Sequence, residues 1–147
     1  MGLTVVPMAE RHLPFLAKIE KACFSAPWSE TALQEELGNP IAVFLVAESA
    51  GAVLGYAGMH VAVDEGYIDN VAVSPDYRRQ GVGDALISAM MKEGQKRNLS
   101  RLTLEVRVSN APARALYEKH GFILDGIRPG FYTAPKEDAA ILSLYLE

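Results

Sequence analysis

Apolar and polar residues recur along this chain with two different periods, and each change of period marks a predicted strand or helix. After a short strand at residues 3–6, the segment 10–24 carries apolar residues three or four positions apart, the spacing of a buried helix face. These residues are Leu13, Leu16, Ile19 and Cys23. Ser29 can cap a second helix that runs to Leu37, just before Gly38-Asn39-Pro40.

The middle of the chain has the alternating or continuous apolar pattern of strands. Three such runs occupy residues 41–48, 52–63 and 67–73. The residues between them, Ser49-Ala50-Gly51 and Asp64-Glu65-Gly66, are typical of turns. The pattern therefore predicts an antiparallel meander of three strands.

Helical spacing returns at Gly81, where apolar residues fall at i, i+3, i+4, i+7 and i+8. These residues are Val82, Ala85, Leu86, Ala89 and Met90. A strand at residues 101–108 follows, and then a helix that Asn110 caps and Gly121 ends. A last strand is predicted at residues 139–146.

Size and charge narrow the possible functions. The chain has 147 residues, half of them apolar, and shows no repeat or linker, so we expect a single domain over 1–147. A net charge of −4 argues against direct binding of nucleic acid. The single Cys23 and three separated histidines give no local metal motif. No apolar run nears the roughly 20 residues that span a bilayer, so we expect a soluble, cytoplasmic protein without a metal. The oligomeric state stays open.

The junction between the meander and the next helix carries the candidate chemistry. The strand YIDNVAV leads through SPDYRRQ into a helix whose first turn holds Gly81 and Gly83. Free N–H groups and the positive end of the helix dipole suit a phosphate or pyrophosphate there, although the glycines could serve only the dihedral angles of an ordinary turn. A dinucleotide loop would need glycine at Leu86, and a P-loop would need Gly-Lys-Ser/Thr. The remaining pattern is R-x-x-G-x-G.

This R-x-x-G-x-G loop, with its strand and helix, resembles the acetyl-CoA site of the GNAT acyltransferases. The stretch LEVRVSNAPARALYEKHGF is similar to the second half of that family. Pro27-Trp28-Ser29, DNVAVSPDYRRQGVG and Lys136–Ala139 resemble its RimI subgroup, the ribosomal-protein-alanine N-acetyltransferases. The resemblance implies the GNAT fold, an α/β (α+β) architecture in which about four helices flank a central mixed, mostly antiparallel sheet of about six to seven strands.

The resemblance also implies a cofactor site for acetyl-CoA as co-substrate. The strand segment Val71-Ala72-Val73 is expected to pair with the pantetheine arm, and Asn110 to lie near the thiol end. The pyrophosphate is expected to meet the N–H groups of Arg79, Gln80, Gly81, Val82, Gly83 and Asp84. Because Asp84 would share this turn with the phosphates, we expect its carboxylate to point away from them.

Acetyl transfer to an amine needs a base, an oxyanion donor and an acid for the departing thiolate. By resemblance, Glu105 in LEVRV is the candidate base and Tyr117 in ALYEKHGF the candidate acid. Pattern alone favours a solvent-facing strand residue for Glu105 and a core residue for Tyr117. A backbone N–H near Val71 could meet the oxyanion if the strand bulges around Asp69-Asn70.

The implied acceptor is the N-terminal alanine amine of a small-subunit ribosomal protein. Candidate substrate-binding residues are Trp28, Asp69, Asn70, Phe131 and Tyr132. The two aromatic residues after Arg128 are predicted in a loop, and either they or Trp28 could instead cover the edge of the core. Relatives commonly carry paired tyrosines in that loop, so Phe131 removes one hydroxyl.

Two other nucleophilic or basic side chains have ordinary interpretations. We expect His120 to interact with the carboxyl end of its helix, and Cys23 to be a core thiol. Three alternative functions stay open: a broader N-terminal acetyltransferase, a small-amine acetyltransferase, and a non-catalytic module that binds acetyl-CoA.

Overall fold

A computed structural model describes residues 2–146; the first and last residues of the predicted domain 1–147 lie outside the described part. Seven strands form one sheet: β1 (Thr4–Pro7), β2 (Ala42–Ser49), β3 (Ala52–Ala62), β4 (Glu65–Val73), β5 (Arg101–Arg107), β6 (Ile123–Thr133) and β7 (Lys136–Tyr145). Their spatial order is β1-β2-β3-β4-β5-β7-β6. All neighbouring pairs are antiparallel except β4 and β5. The expected mixed, mostly antiparallel sheet is confirmed.

Four α-helices accompany the sheet: α1 (Leu13–Cys23), α2 (Glu30–Glu36), α3 (Val82–Lys96) and α4 (Ala111–Lys119). A short 3₁₀ turn at Glu10–His12 replaces the start that the pattern assigned to the first helix. Ser29 caps α2 as predicted, because its side chain accepts from the Ala32 N–H at 3.0 Å. The four predicted helices are therefore present, with boundaries shifted by a few residues.

The sheet buries a different set of side chains on each face. Along β2, successive residues join two separate apolar clusters in turn, as the period of a strand requires, and β3 contributes residues to both clusters. α3 covers one face with Val82, Leu86 and Met90, all buried as predicted. α1 covers the other face, where its apolar residues meet Phe44 and Tyr56.

The end of the chain differs from its prediction. Residues 123–133 form a strand paired with β7, so Phe131 and Tyr132 lie in β6 and not in a loop after Arg128. The Pro129-Gly130 pair has the composition of a turn, but here it only interrupts the register between Arg128 and Tyr132. Pairing resumes beyond the interruption, where Tyr132 of β6 lies opposite Glu137 of β7.

The only parallel pair among these strands separates soon after it forms. β4 pairs with β5 over residues 65–68 and 101–104, and the two strands then continue apart to Val73 and Arg107. At the same level β4 contains a bulge. Gly58 pairs with Asn70 and Met59 with Ile68, which leaves Asp69 as the extra residue. This bulge is the one on which the expectation for the Val71 N–H depends.

Candidate active site

A cavity of about 650 Å³ fills the gap between the separating ends of β4 and β5. Its walls are residues 68–71 of β4, residues 104–107 of β5, the end of α1 with the segment that follows, one side of α4, and the β6–β7 turn. The candidate residues that the walls bring together are Trp28, Asp69, Asn70, Val71, Glu105, Asn110, Tyr117, Phe131 and Tyr132. Ala72, Val73 and the loop at residues 79–84 are not part of these walls.

The backbone of β4 turns alternate residues into the gap. Ser74 N–H donates to the Leu54 carbonyl at 2.8 Å, which makes these two residues a hydrogen-bonded antiparallel pair. Because such pairs alternate, Ala72 also directs its backbone groups to β3, whereas Val71 and Val73 direct theirs away from it. Beyond Ile68 that direction faces the gap, where an extended ligand could pair with them.

The loop after β4 has a backbone that only particular residues adopt easily. Arg79 and Gly81 have left-handed φ values of 63° and 80°, and Gly81 is the N-cap of α3. The first helical bond runs from Ala85 N–H to the Gly81 carbonyl at 3.0 Å, so the N–H groups of the preceding first turn have no partner within α3. Such a helix start can bind an anion.

Gly83 has a different purpose from Gly81. A Cβ added at Gly83 would lie 3.0 Å from Leu116 Cδ2, so the missing side chain lets α3 pack closely against α4. A Cβ at Gly81 would meet nothing within 4 Å, so its requirement is conformational. One glycine of the motif therefore sets the loop backbone and the other sets the helix packing.

Glu105 lies in the cavity wall with its side chain only 4% exposed. Its Oε1 accepts a hydrogen bond from the Tyr67 hydroxyl. Its Oε2 lies 2.5 Å from Arg128 Nε, in an ion pair that lacks the alignment of a hydrogen bond. The solvent-facing alternative for Glu105 is therefore wrong: the carboxylate is buried and directed to the gap.

Tyr117 is both a packed residue and a cavity residue. It is 7% exposed, and its ring lies 5.8 Å from that of Phe122. Burial raises the pKa of its phenol well above the ordinary value, and the neighbouring Tyr132 adds to the effect. The phenol therefore keeps its proton at neutral pH. Asn110 lies nearby because it caps α4, with Oδ1 accepting from Ala113 N–H at 3.2 Å.

The candidate acceptor walls are held by contacts with the rest of the fold. The Trp28 ring lies 6.1 Å from that of Phe44, and the rings of Phe131 and Tyr132 meet edge to face at 5.0 Å. The Arg107 guanidinium lies 4.4 Å from the centre of the Tyr132 ring. These aromatic side chains are thus fixed by neighbouring side chains on the cavity wall.

The β6–β7 turn closes one side of the cavity. Arg107 donates to the Pro135 carbonyl at 2.8 Å and to the Ala134 carbonyl at 3.3 Å. On the opposite side, Ser25 Oγ donates to the same Ala134 carbonyl at 3.0 Å. The turn therefore connects β5 to the segment after α1 and narrows the entrance.

Asp84 is held by the end of α4. Its Oδ1 lies 2.9 Å from His120 Nε2 and 3.0 Å from Lys119 Nζ, and these two partners hold the pKa of Asp84 below its usual value. His120 is the C-cap residue of α4, but its ring bonds to Asp84 as well as ending the helix. The Asp84 carboxylate is therefore paired with side chains of α4, although it lies beside the loop that could bind an anion.

Cys23 is less buried than its prediction as a core thiol. It is partly exposed and belongs to the cavity wall, where Sγ donates to the Val73 carbonyl at 3.4 Å. Arg78 donates to the same sulfur at 3.4 Å. The thiol therefore borders the gap beside β4.

The buried polar pair formed by Glu20 and Tyr56 at the cavity was not predicted from the sequence. Glu20 is 1% exposed and Tyr56 fully buried. Glu20 follows Leu13 and Leu16 at helical spacing, so an acidic residue on an otherwise apolar helix face was the available signal. Tyr67 was not predicted either, because its contact with Glu105 joins residues far apart in sequence.

Two further properties concern residues 2–146 as a whole. Within that range, no group of three or more His, Cys, Asp or Glu side chains could hold a metal ion. No helix in the same range is long and apolar enough to cross a membrane.

Comparison with known proteins places these features among acetyltransferases. The model of the acetyltransferase (GNAT) family matches residues 13–122. The [ribosomal protein bS18]-alanine N-acetyltransferase of Escherichia coli K12 is 38% identical over 143 residues, 96% of either chain. The crystal structure of the ribosomal-protein-S18-alanine N-acetyltransferase from Escherichia coli superposes with a TM-score of 0.90 at 36% identity, over 99% of this chain and 95% of that one. A GNAT family acetyltransferase from Elizabethkingia anophelis with acetyl-CoA bound has the same fold, with a TM-score of 0.79 at 18% identity over 98% of each chain.

Proposed function

The chain belongs to the acetyltransferase (GNAT) family, and we propose that it transfers the acetyl group of acetyl-CoA to the N-terminal alanine amine of a small-subunit ribosomal protein. The single observation that supports this most is the pairing of Glu105 and Tyr117 on the walls of one cavity, beside unpaired backbone of β4. Relatives over nearly the whole chain carry the same activity in their names. An acceptor of this kind implies that the enzyme works in the cytoplasm.

The cofactor would lie along β4 and reach into the gap. The N–H groups at the start of α3 would bind the pyrophosphate, because the first four N–H groups of a helix have no partner within the helix. The pantetheine arm would pair with the backbone of Val71 and Val73, which faces the gap. Asn110 and Tyr117 would then lie near the sulfur at the cavity end.

Transfer would proceed by direct attack of the α-amine on the thioester carbonyl carbon. The α-amine has an ordinary pKa of about 7.7–8.0, so a single carboxylate suffices to take its proton. Glu105 would accept that proton directly or through a water. The Val71 N–H would stabilise the oxyanion, and the C–S bond would break as Tyr117 donates its proton to the sulfur.

The acceptor would enter between Trp28 and the pair Phe131-Tyr132, with the bulge residues Asp69 and Asn70 at the end of the channel. The Ala134-Pro135 turn narrows this entrance, which favours a slender peptide end over a folded surface. The enzyme's net charge of −4 suits a basic ribosomal protein.

The direct test of this function is the initial rate of acetyl transfer to short peptides that differ only in their first residue. Spermidine and an N-terminally blocked peptide with one lysine serve as comparison acceptors. We expect fast transfer to the free alanine terminus and at least tenfold slower transfer to the blocked peptide. Preference for spermidine would support a small-amine enzyme instead, and CoA binding without transfer to any acceptor would support a binding module.

The loop at the start of α3 provides a separate prediction about the cofactor. Gly81→Ala places a side chain in a left-handed backbone, which costs roughly 1–2 kcal/mol and redirects the neighbouring N–H groups. We expect CoA to bind about 5- to 30-fold more weakly, as measured by titration calorimetry. Gly51→Ala is the matched control, because Gly51 has a φ of 82° and equal free space in the β2–β3 turn. Equal CoA affinity in both variants would contradict the role of the loop.

A further inference from the structure

A buried chain of polar side chains connects α1 to the bulged end of β4. Tyr56 Oη donates to Glu20 Oε2 at 2.6 Å, and Asn70 Nδ2 donates to Tyr56 Oη at 3.0 Å. The other carboxylate oxygen of Glu20 accepts from the Trp28 N–H at 2.8 Å. The side chains of Glu20, Tyr56 and Asn70 are all at least nine-tenths buried. Glu20 and Asn70 belong to the cavity wall. Burying a carboxylate costs free energy, and these hydrogen bonds offset that cost for Glu20.

The hydrogen bonds of this chain have only one consistent direction. Both oxygens of Glu20 accept, one from the Trp28 N–H and the other from the Tyr56 hydroxyl, so Tyr56 gives its single proton to Glu20. Burial and the Glu20 charge raise the pKa of Tyr56, which keeps that proton in place. The Tyr56 oxygen can therefore only accept from Asn70, and the NH₂ group of the amide must face it. The amide oxygen of Asn70 is thereby fixed on the opposite side.

That amide oxygen has no partner within residues 2–146. Asn70 Oδ1 is buried and makes no hydrogen bond. A buried acceptor without a donor costs free energy that a well-packed fold avoids elsewhere. Asn70 lies between the bulge residue Asp69 and Val71, on the wall shared with Glu105. A ligand donor that enters the cavity would satisfy it.

We propose that Glu20 is a positioning residue, which acts through Tyr56 to hold the Asn70 amide oxygen as the hydrogen-bond acceptor for the substrate α-amine. This inference rests on the proposed function. A neutral α-amine has two N–H groups and one lone pair. If one N–H bonds to Asn70 Oδ1 and the other faces Glu105, the lone pair is left to attack the thioester.

Glu20→Gln tests the direction of the chain with little change of shape. The oxygen of the introduced amide must face the Trp28 N–H, so the NH₂ group of that amide must face Tyr56. Tyr56 then donates to Asn70, and the Asn70 amide turns its NH₂ group to the cavity. The acceptor site becomes a donor, so we expect the KM for the peptide to rise roughly 10- to 100-fold, with the KM for acetyl-CoA unchanged.

Two further variants distinguish the orientation of the Asn70 amide from the charge of Glu20 and from a general loss of stability. Tyr56→Phe keeps the Glu20 charge but breaks the chain, and should raise the peptide KM by about threefold to tenfold. Glu48→Gln is the matched control, because Glu48 also binds two partners, Arg11 and His12, but lies outside the cavity wall. It should leave both KM values unchanged.

Solvent exchange of the Asn70 side-chain NH₂ protons, measured by NMR, reports the orientation without any turnover. We expect slow exchange in the wild type and exchange at least tenfold faster in Glu20→Gln. If Glu20→Gln raises the peptide KM but Tyr56→Phe does not, the Glu20 charge alone is responsible, and the proposal is overturned. Equal losses for both substrates would indicate a structural role and overturn it too. If the wild type acetylates no peptide, the proposed function is wrong. If the Asn70 NH₂ protons exchange at the same rate in Glu20→Gln as in the wild type, Glu20 does not orient Asn70 and this proposal is wrong.

Discussion

Glu105→Gln is expected to lower kcat/KM for an alanine-terminated peptide by roughly 10²–10³-fold at pH 7. Glutamine keeps the size of the side chain and can still accept from the Tyr67 hydroxyl, but it cannot take a proton from the amine. Arg128 loses its ionic partner without a large penalty, since its side chain is 56% exposed and can turn to water. Steady-state rates at fixed, saturating acetyl-CoA measure the effect.

The pH dependence of this variant distinguishes a base from a binding residue. Above about pH 8 the α-amine is neutral without assistance, so the deficit of Glu105→Gln should narrow as the pH rises. Glu118→Gln, an exposed change on α4, is the matched control and should leave the rate unaltered. A Glu105→Gln enzyme that keeps the wild-type rate at pH 7 would remove Glu105 from the mechanism.

Tyr117→Phe is expected to lower kcat by about 100-fold, at the low end of the range for general acid catalysis. The raised pKa of the buried phenol keeps its proton available, but a thiolate is a weak base and also leaves tolerably without help. Because the ring still packs against Phe122, we expect the affinity for CoA to stay within about twofold of the wild type. Single-turnover rates and CoA titrations measure the two quantities separately.

Tyr145→Phe is the matched control for the loss of a phenol. Its hydroxyl donates to Asp125 at 2.9 Å, and the residue does not belong to the cavity wall. It should leave kcat unchanged. If Tyr117→Phe weakens CoA binding as much as it lowers the rate, Tyr117 shapes the cofactor pocket and does not supply the proton.

Local features of this fold could be predicted from the sequence because neighbouring residues determine them. The apolar face of α3 and the caps at Ser29 and Asn110 follow from residues within a few positions of one another. The left-handed backbone at Gly81 belongs to the same class. A pattern of spacing and turn residues carries this information directly.

Contacts between distant residues were not available from the pattern. The Glu20–Tyr56 and Tyr67–Glu105 bonds join residues 36 and 38 positions apart. They exist only once β3, β4 and β5 share a sheet and α1 packs against it. The β6–β7 hairpin was missed for a related reason, since Pro129-Gly130 has the local composition of a turn. Cross-strand pairing with β7 outweighs that preference.

The most direct measurement of the central claim is the position of the acetyl group on a peptide that offers two amines. An alanine-terminated peptide with one internal lysine would be incubated with acetyl-CoA and enzyme, and the product located by tandem mass spectrometry. We expect one acetyl group, on the α-amine, at a rate that falls with Glu105→Gln. Acetylation of the lysine in preference to the terminus, or an equal distribution between them, would contradict the proposed function.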